Sequence, residues 1–368
     1  MKTAIVTDGK YRSSIAAVRA LGRAGYKVVV TQTRKDVKSA PAVCASRYVS
    51  EFRWIDGSCS DADYAEKLMA VLREYAHPVL FCTGAVSLNT VSARKCEFEE
   101  LADFLIAEKA VLDALNDKEQ VHKRCEELGI KVPKQFNDTP DAYPVVVKPH
   151  CGEKFGLKAK DRYAIAGSKA EFDEIMQKMR RYDPMPLVQQ KITGDGAGVS
   201  MLLDGNGRLV SALCHRRVRE YPVSGGPSTC CESFYDEKMI NDAYRLLHSF
   251  GFVGLAMVEF KGDCVLEVNP RGWGRFPMTQ HTESSITANY AKAAGGEVVE
   301  YNPHDFKTGM RMRFTLNDAA AVLGLLKAGR IKDAFRGIAD FFRVREALRF
   351  KGDNKPFWRY LIKALLRR

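Results

Sequence analysis

Short apolar runs and amphipathic stretches alternate along the first hundred residues. The runs Thr3–Thr7, Lys27–Thr31 and Pro78–Cys82 are apolar and β-branched, which predicts buried strands. Between the first two runs, apolar residues recur at helical spacing over residues 13–24. A strand, a helix and a second strand in this order predict a parallel sheet. We therefore expect a Rossmann-like α/β domain over residues 1–107.

From residue 108 onward, charged helices are followed by strands with Gly-rich turns. The segment PVVVKP at residues 144–149 predicts an apolar strand that carries a single charge, Lys148. Another strand is predicted at Leu187–Gln190, and hairpins follow it. This pattern predicts a second domain of mixed helices and strands over residues 108–300.

The C-terminal segment, residues 301–368, is predicted to be mostly helical and carries most of the positive charge. The whole chain has 57 Lys and Arg against 45 Asp and Glu, a net charge of +12. Residues 304–368 hold 16 basic and 6 acidic residues, which gives +10 and leaves +2 for the rest. Because the charge is confined to this segment and no aromatic platforms interleave it, nucleic-acid binding is not expected.

The last predicted helix, residues 355–368, has an apolar face with Phe357, Trp358 and Leu361 and a basic face opposite. Two interpretations stay open, docking on the body of the protein or weak contact with an anionic membrane surface. No apolar run approaches the roughly 18 residues of a membrane span, and no leader-like segment is seen. We expect a cytoplasmic protein, with a membrane-peripheral position as the alternative and a homodimer as the default assembly.

Two carboxylates and an amide are predicted to meet in the hairpin VEFKGDCVLEVNPR. A tight turn at Gly262-Asp263 brings Glu259 beside Glu267, and the period of two along a strand puts Asn269 on the same face. Arg271 follows just past the strand. Oxygen ligands of this kind suit Mg²⁺, and Mn²⁺ is the alternative. A solvated edge hairpin with scattered charges is the competing interpretation.

Two lysines and a glycine-bearing loop are candidate phosphate ligands. An ammonium in an apolar strand needs an anionic partner, so Lys148 is a candidate, and Lys118 opens a predicted helix. In the loop HCGEKFG, Gly152 and Gly156 would let backbone amides approach phosphates, and Lys154 adds charge. The loop lacks the G-K-[ST] ending of a Walker A motif.

A basic strand supplies the remaining candidates. In CHRRVREYPVSGG, alternation is expected to place Arg217 and Arg219 on one face of the strand. Guanidinium groups match phosphate oxygens bidentately, so both arginines are candidate catalytic residues. An exposed basic strand without a ligand is the alternative.

Six motifs stand in a characteristic order: NDK, GIKVPK, PVVVKP with its Gly loop, LVQQKITGDGAGVS, HRRVREYPVSGGPST, and VEF with LEVNPRGWG. Their order and spacing resemble ATP-grasp proteins of the carbamoyl-phosphate-synthetase-like carboxylate–amine ligase group. The resemblance covers about residues 1–300. It implies an α/β fold in which a Rossmann-like domain is followed by an ATP-grasp domain, with an α+β lid subdomain at about residues 144–192.

The resemblance also implies roles for individual residues. It implies that the nucleotide is bound by Lys118 and Lys148 and by a lid loop that contains Gly152, Lys154 and Gly156. It implies a hinge at Gln190, Lys191 and Ile192 that contacts adenine, and a ribose contact from Asp195. It also implies that metal is bound by Glu259, Glu267 and Asn269, and that the transferred phosphoryl group is contacted by Arg271 and Arg217.

This resemblance implies a ligase that uses ATP and Mg²⁺ to join a small-molecule carboxylate to an amine through an acyl phosphate. Gln190 stands where the group commonly has Glu, and the lid loop has fewer glycines than usual. Two other functions stay open: a catalytically silent ATP-binding sensor or scaffold, and nucleic-acid binding through the basic segment.

Overall fold

Three β-sheets with helices packed around them organise the chain. The computed structural model describes residues 2–137, 139–150, 157, 163–223 and 225–366. Helices and strands are mixed throughout, as the α/β prediction requires.

The first sheet is parallel and has the order β3-β2-β1-β4. Its central strands are buried on both faces, as expected for a parallel sheet covered by helices. Its strands are β1 (Thr3–Val6), β2 (Lys27–Thr33), β3 (Val49–Ile55) and β4 (Val79–Phe81). The helices around it are α1 (Arg12–Arg23), α2 (Tyr64–Leu72), α3 (Ala85–Ala93) and α4 (Lys95–Glu99), with a 3-10 helix at Ala42–Ala45.

A small antiparallel sheet follows, with the order β5-β8-β6-β7. One helix packs against it through the buried Phe172 and Met179. Its strands are β5 (Gln135–Phe136), β6 (Val145–Lys148), β7 (Ala164–Ala166) and β8 (Leu187–Gln190). The helices before and within it are α5 (Lys109–Asn116), α6 (Lys118–Glu127) and α7 (Lys169–Met179).

The central sheet has seven strands in the order β13-β12-β9-β10-β11-β14-β15, antiparallel except for the last pair. Its strands are β9 (Gly196–Leu203), β10 (Leu209–Glu220), β11 (Ser228–Phe234), β12 (Gly254–Lys261), β13 (Cys264–Asn269), β14 (Arg311–Arg313) and β15 (Arg345–Glu346). The helices between these strands are α8 (Glu237–Ser249), α9 (Met278–His281) and α10 (Ile286–Ala294).

The C-terminal segment is mostly helical and extends the central sheet, since β14 and β15 belong to it. Its helices are α11 (Thr315–Lys327), α12 (Ile331–Arg343) and α13 (Lys355–Leu366). The last of these docks on the first domain, where Phe357 is buried and Arg359 donates to the Ala40 carbonyl at 3.2 Å. Among the described residues, none of the helices is both long and apolar enough to cross a bilayer.

A buried ion cluster fastens α11 and α12 to the central sheet. The guanidinium of Arg219 on β10 contacts both carboxylate oxygens of Asp318, at 2.9 and 2.8 Å, and the carboxylate of Asp340 at 2.5 Å. Thr229 on β11 donates to Asp318 at 2.8 Å as well. The Asp318 side chain is fully buried, so its charge depends on these partners.

Replacing Arg219 by Met is expected to lower the free energy of unfolding by about 3–5 kcal/mol, because the buried Asp318 loses its counter-ion and, among the described residues, Asp340 keeps only Arg311, at 3.9 Å. Arg216→Met, on the same strand, is the matched control. Its partner Glu232 keeps Arg311, so the loss is expected to stay within about 0–1 kcal/mol. Urea denaturation measures both variants, and equal losses would contradict the role given to the cluster.

Candidate active site

A cleft of about 750 Å³ lies where the three sheets meet. Residues of α1 and α3 line it from the first domain, β6 and β8 from the small sheet, and β10, β12 and β13 from the central sheet. The cleft therefore joins parts of the chain that are far apart in sequence, and charged side chains reach it from α1, from the small sheet and from the central sheet.

The β12–β13 hairpin forms one wall of the cleft and carries the predicted carboxylates. Glu259 and Glu267 stand directly opposite each other in the strand register, so their side chains share a face. Asn269 lies two residues further along β13 and donates to Glu267 at 3.4 Å. The structure thus brings together the three oxygen donors that the sequence pattern selects.

Cations from four other elements surround the two carboxylates. Glu259 accepts from Arg217 at 2.5 Å and from Arg275 at 3.5 Å, and the Lys118 ammonium lies 3.3 Å from Glu267. Burial alone would raise the pKa of Glu267, but the charges of Lys118 and Lys148 outweigh it and lower that pKa. Glu267 is therefore ionised at neutral pH.

The Lys148 side chain is half-buried at the end of β6 and lines the cleft. Burial, and next the charge of nearby Lys118, lower its pKa to about 8. Its ammonium makes no hydrogen bond or ion pair with any residue that the structure describes. Lys118 is held at the first turn of α6, where the Asp117 side chain caps the helix. The two ammonium groups form a positive site that suits a phosphate.

A buried histidine connects the elements that carry these charges. Gln189 on β8 donates to Nδ1 of His122 at 3.0 Å, so Nε2 carries the proton and donates to the Leu266 carbonyl at 3.0 Å. Burial and the charge of Lys148 lower the pKa of His122 to about 4, which keeps it neutral. We did not predict His122, although its position one helical turn after Lys118 marks it as facing the same side.

Arg217 and Arg219 point to opposite sides of β10, so the prediction that they share a face is wrong. The register shifts between them, because two residues of β10 oppose one residue of β11. This β-bulge reverses the alternation of side chains. Arg217 faces Glu259 and also donates to the Gly226 carbonyl at 3.1 Å. Arg219 is engaged by Asp318 and Asp340, so we withdraw the catalytic role considered for it.

Two further cleft arginines escaped the sequence analysis. Arg275 lies after β13 in the segment GWGRFP, and its side chain is only 8% exposed beside Glu259. Arg12, the first residue of α1, stacks on the Phe314 ring at 3.9 Å and makes no ion pair with a described residue. The predicted Arg271 also lines the cleft, near the end of β13. Only the hydrophobic packing of distant segments brings Arg12 and Arg275 here.

Some of the residues predicted to bind the nucleotide line the cleft, and others do not. The cleft is lined by Gln190, Lys191 and Ile192. The backbone N–H of Gln190 donates to the Lys134 carbonyl at 2.8 Å. Asp195 lies in an exposed turn and is not among the described residues that line the cleft. The predicted loop residues lie outside the described part of the chain; they are Gly152, Lys154 and Gly156.

Residues 115–274, which include most of this cleft, match the family model of an ATP-grasp domain. The chain contains an ATP-grasp domain. This confirms the superfamily that the order of motifs indicated, while the narrower carboxylate–amine ligase group stays a prediction. No curated protein sequence matches the chain.

Solved structures with the same ATP-grasp fold are similar over 84% of the chain, at 14% identity. Biotin carboxylase from Campylobacter jejuni, as a βγ-ATP complex, matches over 74% of its own length with a TM-score of 0.65. The biotin carboxylase domain of 2-oxoglutarate carboxylase from Hydrogenobacter thermophilus, with MgADP, ADP and bicarbonate, matches over 73% with a TM-score of 0.64. An L-amino acid ligase from Bacillus licheniformis matches over 78% with a TM-score of 0.57. The predicted fold is confirmed.

The affinity of the ATP-grasp protein for ADP is expected to fall as pH rises above about 8. Lys148 is then neutral in the free protein, so binding that needs its charge must take up a proton. The loss approaches roughly tenfold per pH unit. Calorimetric titration between pH 7 and 9.5 measures it. Lys148→Arg keeps its charge and should give a flat profile, whereas a flat wild-type profile would contradict the role of Lys148.

Proposed function

We propose that this protein is an ATP-dependent carboxylate–amine ligase that forms an amide or peptide bond through an acyl phosphate. The observation that carries the proposal is the opposed pair Glu259 and Glu267, surrounded by cations in the cleft of an ATP-grasp domain. A positive site beside two carboxylates is the arrangement that a metal–nucleotide complex requires. The similarity of fold to an L-amino acid ligase supports the same reaction class.

The residues present fit a Mg²⁺ or Mn²⁺ site. Glu259, Glu267 and Asn269 offer oxygen donors from one face of a hairpin. In the described part of the chain, no group of three or more Asp, Glu, His or Cys forms a complete metal site. A shell completed by nucleotide phosphates is typical of Mg²⁺ bound through one or two carboxylates. When bound there, the metal would neutralise charge on the phosphates.

The cationic side chains of the cleft have two proposed roles, to bind the phosphates of ATP and to contact the transferred phosphoryl group. Lys118 and Lys148 would hold the phosphate chain of ATP, and closure around the anion would restore the full charge of Lys148. Arg217 and Arg275 are held in place by Glu259, so they would meet the transferred phosphoryl group with little reorganisation. The strand end at residues 190–192 would contact adenine, mainly through backbone groups.

In the proposed reaction, a substrate carboxylate oxygen attacks the γ-phosphorus of ATP, and ADP leaves. The amine then attacks the acyl carbon of the acyl phosphate, inorganic phosphate leaves, and the amine loses a proton as the amide forms. Water that reached the acyl phosphate would hydrolyse it, so the walls of the cleft would have to limit access of water to the intermediate.

The first-domain side of the cleft supports an anionic substrate. Eight Lys and Arg but only three Glu line the cleft. Arg12 and Arg271 belong to this excess, and Arg12 has no carboxylate partner among the described residues. A guanidinium in this environment binds a carboxylate bidentately. We therefore propose that Arg12 and Arg271 bind the carboxylate substrate, with amino acids as the first candidates.

Glu267→Gln is expected to reduce Mg²⁺-dependent phosphate release from ATP by roughly a hundredfold or more, because a charged ligand next to the phosphates is lost. The assay supplies pooled amino acids as carboxylates and amines. Glu297→Gln, an exposed site near α10, is the matched control and should keep full activity. Full activity in the Glu267 variant would contradict the assignment of Glu267 as a metal ligand. A protein that binds ADP but releases no phosphate with any substrate would favour an ATP-binding sensor.

Arg12→Ala is expected to raise the KM for the carboxylate substrate by roughly 10- to 100-fold, since a charge-assisted hydrogen bond contributes about 1.5–3 kcal/mol. The affinity for ADP should not change, because the proposed phosphate ligands lie on β6 and α6. Arg12→Lys should recover part of the loss. Steady-state kinetics with each substrate varied in turn separate these effects, and an equal change in the KM for ATP would contradict a role in substrate binding.

A further inference from the structure

An exposed apolar stripe runs the length of α12. Ile331, Phe335, Ile338 and Phe342 recur at spacings of four, three and four residues, so they lie on one face of the helix. They are 48%, 64%, 43% and 89% exposed. Leu323 and Leu326 on α11 are exposed as well. Four large apolar side chains along one face of a helix form an exposed surface that monomeric proteins rarely leave in water without a function.

The packing of the hairpin does not use this stripe. A different face of α12, with Ala334 and Gly337, packs on α11, and a Cβ on Gly337 would lie only 2.5 Å from Val322. Asp340 on that side joins the buried cluster of Arg219. Because α12 already has a close-packed face of small residues, its apolar stripe is a second face with no partner in the described part of the chain.

Basic side chains border the stripe on one side. Residues 323–345 contain six Lys and Arg but only two Asp, a net charge of +4. Lys332, Arg336 and Arg343 project about 110° around the helix from the centre of the stripe. Lys332 and Arg343 make no ion pair with any residue in the described ranges, and Arg336 has only a 3.7 Å contact with Asp333.

We propose that the α11–α12 hairpin is a docking surface for an anionic lipid bilayer. The aromatic and aliphatic stripe would enter the boundary between headgroups and acyl chains, and the basic border would lie against the headgroup phosphates. A helix with one apolar face and a basic flank lies in the plane of the interface and does not cross the membrane. This placement differs from the contact through residues 355–368 that the sequence pattern suggested.

Charge decides between a bilayer and a second copy of the chain as the occupant. A twofold contact would set the patch against itself, so a charge of +4 would face another +4 across a surface with few acidic groups. An anionic bilayer instead complements the basic border, because each basic residue near the surface is attracted to the lipid headgroups. The net charge of +10 over residues 304–368 acts in the same direction.

Ion pairs and a cation–π contact connect the proposed docking surface to the cleft. Arg219 ties both helices of the hairpin to β10, two residues from the cleft residue Arg217. Phe314, directly before α11, contacts Arg12 in the cleft. Docking would therefore hold the cleft at a set distance and orientation from the bilayer. The docking proposal does not depend on the proposed ligase reaction, because it is tested by binding to vesicles and not by activity.

Vesicle co-sedimentation with the full-length protein tests the proposal. Vesicles of phosphatidylcholine with about one-third phosphatidylglycerol should bind the protein, and vesicles of phosphatidylcholine alone should bind it far less, with the difference shrinking in high salt. Phe335→Ser with Phe342→Ser should weaken binding to the mixed vesicles roughly tenfold or more, because two apolar anchors are lost. Lys332→Gln with Arg336→Gln and Arg343→Gln should remove the preference for anionic lipid.

Met185→Ser with Val298→Ser is the matched control, because these side chains are equally exposed at isolated positions, and it should bind as the wild type does. Trp358→Ser with Ile362→Ser tests whether α13 carries the contact instead. Thermal unfolding verifies that each variant is folded. Absence of binding to mixed vesicles, or equal binding by the wild type and the double Phe variant, would overturn the proposal. A dimer in sedimentation that the double Phe variant abolishes would overturn it in favour of a second copy.

Discussion

The close approach of Glu259 and Glu267 is the constraint on which the architecture of the cleft depends. Two carboxylates directly opposite each other on neighbouring strands repel, and partial burial strengthens the repulsion. The arrangement is stable because β6, β10, α6 and the segment after β13 each bring a cation to the pair. The small sheet and the central sheet are therefore held around a common electrostatic centre. That centre has more cations than two carboxylates need, which leaves charge available for a polyphosphate.

The sequence was sufficient for those parts of the site in which neighbours in the chain are also neighbours in space. The hairpin of Glu259 and Glu267 was predictable because the Gly262-Asp263 turn sets its register, and Gly262 does adopt a positive φ of 57°. Lys148 was predictable because a lone charge in an apolar strand calls for a partner. The superfamily followed from the order of motifs, each of which reflects one such local arrangement.

The remaining parts depend on contacts that no local pattern records. Arg12 reaches the cleft from the first helix, and Arg275 from a segment without regular structure, so only tertiary packing unites them. The strands β14 and β15 have three and two residues, too few to show a period of two. The surface character of α12 was also hidden, because an apolar stripe on a helix normally marks its buried face.

The C-terminal segment consequently has a closer relation to the cleft than its composition indicated. It completes the edge of the central sheet, supplies Phe314 beside Arg12 and provides both counter-ions of Arg219. Its excess of positive charge lies on the outward side, where α12 carries exposed Lys and Arg. One segment thus combines an inner surface that stabilises the fold with an outer surface suited to an anionic interface.

The bulge in β10 has a further consequence for comparing this protein with its relatives. Over three consecutive positions, from Arg217 to Arg219, the strand passes from the cleft to the opposite face of the sheet. In a relative with the same letters but no bulge, regular alternation would place both arginines on the cleft face. Aligning letters alone would then equate an arginine that lines the cleft with one that belongs to the buried ion cluster. Equivalent residues in this strand therefore have to be identified from the pairing of β10 with its neighbouring strand. The position of a single gap in an alignment decides which arginine of a relative is matched with Arg217.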